Sequence, residues 1–192
     1  MRVSKSMMAA FGLMLVAATL YRVIPGRPYG FAPQWAIAIF SGTLFVNRKG
    51  LAFLFPLLTM LISDCIYQLL YLQGYSEIKG FYSGQWINYL LFCSVTIVGF
   101  FVQSGKPYSI LGAAVAGPTL FFILSNSTVW LGGGGYHHAR NFMGWLQTMI
   151  DGIPFYQNSL LSTAVFTSIL FGTFFLMATP EKIKSRFPDK RS

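Results

Sequence analysis

The chain has 192 residues, 54% hydrophobic and only 10% charged, with a formal net charge of +9. A soluble domain carries about 25% charged residues, so the composition excludes an ordinary soluble protein, and apolar runs over most of the length exclude a separate soluble domain. The basic residues sit at the ends and in the turns rather than on one continuous face, which excludes a nucleic-acid footprint.

The chain reads as one transmembrane domain, residues 1–192, with apolar runs at about 6–24, 33–46, 51–72, 86–103, 108–131 and 158–179. The expected fold class is an all-α membrane protein of six transmembrane helices. The first run follows Met1-Arg2-Val3-Ser4-Lys5 and has no small-x-small cleavage site after it, so it reads as a retained span. Pro25-Gly26-Arg27-Pro28 ends it. The second run, Pro33 to Val46, is short.

The third run, Leu51 to Leu72, is long enough to cross a bilayer, which takes about 20 apolar residues. It contains Asp64, the one acidic residue inside any apolar run. A carboxylate at membrane depth costs roughly 2.5–3.5 kcal/mol on insertion scales. Asp64 is therefore expected to face protein or water, either on the wall of a polar cavity or bonded to a neighbouring helix. Cys65 beside it is read either as a cavity residue or as small core filling. Cys65 and Cys93 lie in different runs and form neither a CxxC nor a zinc pattern.

The fourth run is Trp86 to Gln103 and the fifth Tyr108 to Leu131. Small residues four apart, at Ser6/Ala10, Gly112/Ala116 and Ala113/Gly117, permit close helix contact. The segment from Ser125 to Asn158 is the richest in polar and aromatic residues. It holds Asn126-Ser127-Thr128, Trp130, Gly132 to Gly135 and Tyr136-His137-His138. The glycines lack the Gly-Lys-Ser/Thr that a phosphate loop needs, so any ATP motor is another protein. Hydrogen bonding or ligand contact is the favoured role for His137 and His138. Phe142, Trp145, Leu146 and Met149 recur at helical spacing. They predict a short interfacial helix with Asn141 as N-cap and Asp151-Gly152 as its stop. Pro180 and a charged tail close the sixth run.

Cytoplasmic loops carry the excess of Lys and Arg. With the N-terminus inside, the inner side holds ten such residues and the outer side four. The expected location is the bacterial inner (plasma) membrane with both termini cytoplasmic. Tyr29, Trp35, Tyr82, Trp86, Trp130 and Tyr136 then fall near the outer surface, as an interfacial belt or as the rim of a ligand cavity.

Several segments carry a resemblance: Tyr21-Arg22-Val23-Ile24-Pro25, Phe31-Ala32-Pro33 with Ala36 to Gly42, Leu51 to Asp64, Ser125-Asn126 with Val129-Trp130-Leu131, and Ile153-Pro154-Phe155 with Asn158 to Leu161. They resemble an uncharacterised bacterial six-helix membrane family, which in turn is similar to the S components of energy-coupling-factor vitamin transporters. The resemblance implies an S-component-like bundle that binds a vitamin or metal ion near its outer face and works with an ATP-driven coupling module. The Ala-x-x-x-Ala docking motif of such first helices is absent, since Leu13 stands four residues after Ala9 and Met14 four residues after Ala10. In this the chain is more similar to the solitary cobalamin transporters, which hold cobalt through a cysteine. That similarity implies Cys65 as a soft ligand for the metal of a bound corrinoid.

The expected function is a membrane substrate-binding and uptake protein for a small micronutrient, with cobalamin as the first expected ligand and no cofactor of its own. Asp64, Cys65, Asn126, Trp130, Tyr136 and His137 are the expected site residues. The alternatives are a membrane enzyme acting on a lipid or cofactor, or a proton-coupled transporter using Asp64.

Overall fold

The computed structural model describes residues 12, 16–24, 26–103 and 105–177. Ser6/Ala10, the Ala9–Met14 docking positions apart from Gly12, Pro25, Pro180 and the charged tail lie outside the described residues. Six helices and no strand occur among those described. They are α1 (16–23), α2 (Gln34–Leu44), α3 (Lys49–Leu72), α4 (Gln85–Phe100), α5 (Pro107–Gly132) and α6 (Phe142–Met177). Three of them, α3, α5 and α6, are long and apolar enough to cross a membrane, and α4 is a shorter apolar helix.

The bundle is built around α2. Every residue from Gln34 to Thr43 is buried, and α2 touches α3, α4, α5 and α6. At 1.5 Å per residue its 11 residues reach only about 16 Å, too short to span a bilayer. Its neighbours shield it, so it need not present a lipid-facing surface.

Two features let the backbones come this close. A Cβ on Gly42 would strike the Thr96 carbonyl and lie 3.0 Å from the Cα of Gly99. A Cβ on Gly99 would strike the Ile39 carbonyl in turn. The α2–α4 crossing is therefore a glycine-to-glycine contact. On the α3 side, Pro56 sits inside the helix and has no N–H for the carbonyl four residues back. That carbonyl belongs to Ala52, and the Ser41 hydroxyl of α2 donates to it at 2.8 Å. A packing contact thus also repairs the gap in the helix ladder. Phe40 packs edge-on against Phe171 of α6 at 4.9 Å, completing the apolar side.

The interfacial helix expected before the sixth span exists only as the first turns of α6, which runs unbroken from Phe142 to Met177. Its N-cap is as the sequence predicts: Asn141 Oδ1 accepts from the Gly144 N–H at 2.9 Å. The stop at Asp151-Gly152 does not occur. Gly152 is there for close approach, since a Cβ would lie 2.7 Å from the Asn126 amide oxygen and 2.8 Å from the Phe122 ring on α5. The glycine run at the end of α5 does stop a helix. Gly133 is left-handed (φ 69°) and its N–H and that of Gly134 bond back to Trp130 and Val129, the usual C-terminal cap.

Candidate functional site

One end of the bundle converges on the carboxylate of Asp64. This is the end of the α1–α2 and α3–α4 connections. Asp64 lies eight positions before the end of α3, about 12 Å in from it, and is 3% exposed. A charge there needs a countercharge and filled lone pairs. Arg22, from the last turn of α1, supplies the charge: its Nη1 is 2.5 Å from Asp64 Oδ1. The same guanidinium also bonds Ser63 Oγ and the Met60 carbonyl. Asp64 Oδ2 accepts from Gln85 Nε2 at 2.5 Å and from the Tyr89 hydroxyl at 2.7 Å, both on α4. The carboxylate thus ties α1, α3 and α4 together.

A second layer braces this core. Tyr67 Oη donates to the Arg22 carbonyl at 2.5 Å, and Arg27 Nε donates to the same carbonyl at 2.7 Å. The Arg22 guanidinium stands 5.8 Å from the Tyr67 ring centroid. Gly80 lets the α3–α4 loop lie on α3, because a Cβ there would run into the Asp64 carbonyl and the Gln68 N–H. Gln85 Nε2 reaches the Gly80 carbonyl at 2.9 Å, which fastens the loop over the carboxylate.

Beside this network is a cavity of about 200 Å³. Its polar wall comprises Arg22, Arg27, Asp64 and Gln85, and its apolar wall Trp35, Met60, Phe92 and Phe121. Tyr82 and Asn88, hydrogen-bonded to each other, stand at its exposed side. The three rings of the apolar wall form one cluster, with centroids 5.6 Å apart for Trp35–Phe92 and for Trp35–Phe121, and 4.9 Å for Phe92–Phe121.

Gln34, the first residue of α2, also lines the cavity and is 2% exposed. Neither its amide oxygen nor its amide nitrogen has a hydrogen-bond partner among the described residues, and the Trp35 indole Nε1 is in the same condition. Buried amides are nearly always paired, so Gln34 and Trp35 are two adjacent side chains with unmet polar atoms, closed off from solvent beside the cavity.

Of the residues expected from sequence, Asp64 lines this cavity. Cys65 does not. It is exposed on the outside of α3, because a helix turns by about 100° per residue and burying Asp64 swings its neighbour away. Asn126, Trp130, Tyr136 and His137 lie together at a different place, the junction of α5 and α6. There Asn126 Nδ2 bonds the Phe122 carbonyl, Trp130 Nε1 the Ala139 carbonyl and His137 Nδ1 the Gly133 carbonyl, while Tyr136 is exposed. His138 pairs with Asp151 at 2.6 Å. The Trp130, His137 and His138 bonds shape the turn that leads into α6, whereas the Asn126 bond stays within α5, where Asn126 packs against Gly152 of α6. Among the described residues no group of three or more His, Cys, Asp or Glu side chains is placed to hold a metal.

Sequence reasoning missed Arg22, Gln34, Trp35, Gln85 and Tyr89 as parts of one site. One signal for Arg22 was available: an acid in an apolar run calls for a cation, and Arg22, near the outer end of the first run, is one of four basic residues expected on that side.

A model for a family of unknown function (DUF6580) matches residues 2–186 of the chain. No curated protein and no solved structure shows a significant match.

Proposed function

The chain belongs to the DUF6580 family, and for this member we propose a membrane protein that binds a small micronutrient from the outer side and takes part in its uptake. The observation that carries this reading is Gln34: a buried amide, unpartnered among the described residues, beside a cavity at the end of the bundle expected to face outwards. An enzyme would call for a nucleophile or a free acid or base in the cavity, whereas Asp64 is engaged by Arg22, Gln85 and Tyr89. The same engagement favours Asp64 as a structural anchor over a proton carrier.

The reading is for a small ligand rather than a corrinoid. A cavity of about 200 Å³ lies below the roughly 300–1,000 Å³ of sites for drug-sized molecules. Cys65, the expected cobalt ligand, faces away from it. The basic excess at the ends and inner turns supports a plasma-membrane protein with cytoplasmic termini. Energy for uptake would come from a partner, an ATP-driven module being the one the family resemblance implies.

The test is to purify the full chain in lipid nanodiscs from cells grown in rich medium and identify co-purifying small molecules by mass spectrometry. A small molecule present with the native protein and lost from Gln34→Leu supports the reading. A native protein that carries no small molecule and binds none from a vitamin mixture overturns it.

A further inference from the structure

The two orphan groups beside the cavity are buried as it stands, and they specify what would satisfy them if a ligand opened a path to them. The Gln34 side chain offers two N–H donors on one atom and a two-lone-pair acceptor on the other, side by side in one plane. The partner that fills both at once presents a donor next to an acceptor, which is how a glutamine reads the N6/N7 edge of adenine. Trp35 adds a donor only, so it asks for a further acceptor. The apolar wall has its own preference. Trp35, Phe92 and Phe121 are mutually tilted rings with centroids 4.9–5.6 Å apart, and a flat ring extends such a cluster through edge or offset contacts. The ion-pair network makes no competing demand, because both Asp64 oxygens are already bonded.

We infer that the ligand is a planar heteroaromatic ring carrying a hydrogen-bond donor beside an acceptor, gripped along that edge by the Gln34 amide and contacted by the Trp35 indole N–H. This rests on the uptake reading above and gives it a ligand class.

The experiment uses the full chain in nanodiscs and five probes, followed by ligand-observed NMR. 2-Pyridone and 2-aminopyridine carry a donor beside an acceptor on a flat ring. Pyridine and aniline each carry one of the two functions. 2-Piperidone has the edge of 2-pyridone without its aromatic ring. The first two are expected to bind at least about ten-fold tighter than the other three, since a site built for a hydrogen bond rejects the analogue that lacks it. The preference should vanish in Gln34→Leu. In Gln34→Glu, where the wall accepts but no longer donates, 2-aminopyridine should gain over 2-pyridone. Equal affinity for all five probes, or a preference that survives Gln34→Leu, overturns the inference. The uptake reading is read out separately: a co-purifying molecule released by Gln34→Leu, together with no discrimination among the probes, sinks the ligand class alone. No co-purifying molecule and no probe binding sinks both.

Discussion

Arg22 and Asp64 meet at 2.5 Å across 42 positions of sequence, joining the end of α1 to the latter half of α3. Breaking a buried pair by removing one partner costs about 3–5 kcal/mol, because the other charge is left uncompensated. Arg22→Met should therefore lower stability by about that amount. Arg22→Met with Asp64→Leu should recover most of it, since the double replacement strands no charge. Unfolding of each variant in mixed detergent micelles measures both, and a double variant no more stable than the single would remove the pair as the anchor.

Gln34→Leu should act in the opposite direction. It replaces a buried amide without partners by an apolar side chain of similar size, and relief of an unmet polar group is worth about 1–3 kcal/mol. The ligand-free protein should unfold at a higher temperature while losing ligand binding. A lower midpoint would mean that the amide is satisfied in the folded protein.

Ser41 and Pro56 should be energetically coupled through the Ala52 carbonyl. Ser41→Ala strands that acceptor and should cost about 1–3 kcal/mol. Pro56→Ala restores the helical N–H, so in that background the cost of Ser41→Ala should fall below about 0.5 kcal/mol. A double-mutant cycle on unfolding free energies gives the coupling directly, and a cost that is equal in both backgrounds would rule out the repair.

Two glycines of the long helices should respond oppositely to alanine. At Gly152 a Cβ meets the Asn126 amide and the Phe122 ring within 2.8 Å, and such overpacking costs about 1–3 kcal/mol. At Gly112 a Cβ meets nothing within 4 Å, and alanine in a helix is better than glycine by roughly 0.5–1 kcal/mol. Thermal unfolding should move down for Gly152→Ala and up for Gly112→Ala. Equal shifts would contradict the close α5–α6 approach.

Cys65 should be chemically accessible and dispensable. An apolar maleimide should label it in detergent at the same rate with or without 2-pyridone, and Cys65→Ala should leave probe affinity within about two-fold, as for a surface change away from the site. Protection of Cys65 by a bound ligand would put it back on the cavity wall.

The sequence carried the all-α class, apolar runs at α3, α5 and α6 long enough to cross a membrane, the Asn141 cap and the turn of Asp64 towards protein, because each depends on local composition or on one residue against an apolar background. It misplaced the break at Asp151-Gly152, since a glycine that ends a helix and a glycine that admits a neighbour look the same until the neighbour is present. It also grouped Asn126, Trp130, Tyr136 and His137 with Asp64, because all lie near one expected surface. The tertiary structure puts Asn126 at the α5–α6 contact and Trp130, Tyr136 and His137 at the turn between those helices, apart from the Asp64 cavity between α1, α2, α3, α4 and α5. Which side of α3 faces the cavity, that of Asp64 or that of Cys65, follows from the rotation of that helix, and Arg22, Gln85 and Tyr89 hold it in place. That Gln34 is an orphan amide rather than an ordinary polar residue at a helix start was decidable only from what surrounds it. Hydrogen-bond satisfaction is a property of the packed assembly, and no stretch of sequence contains it.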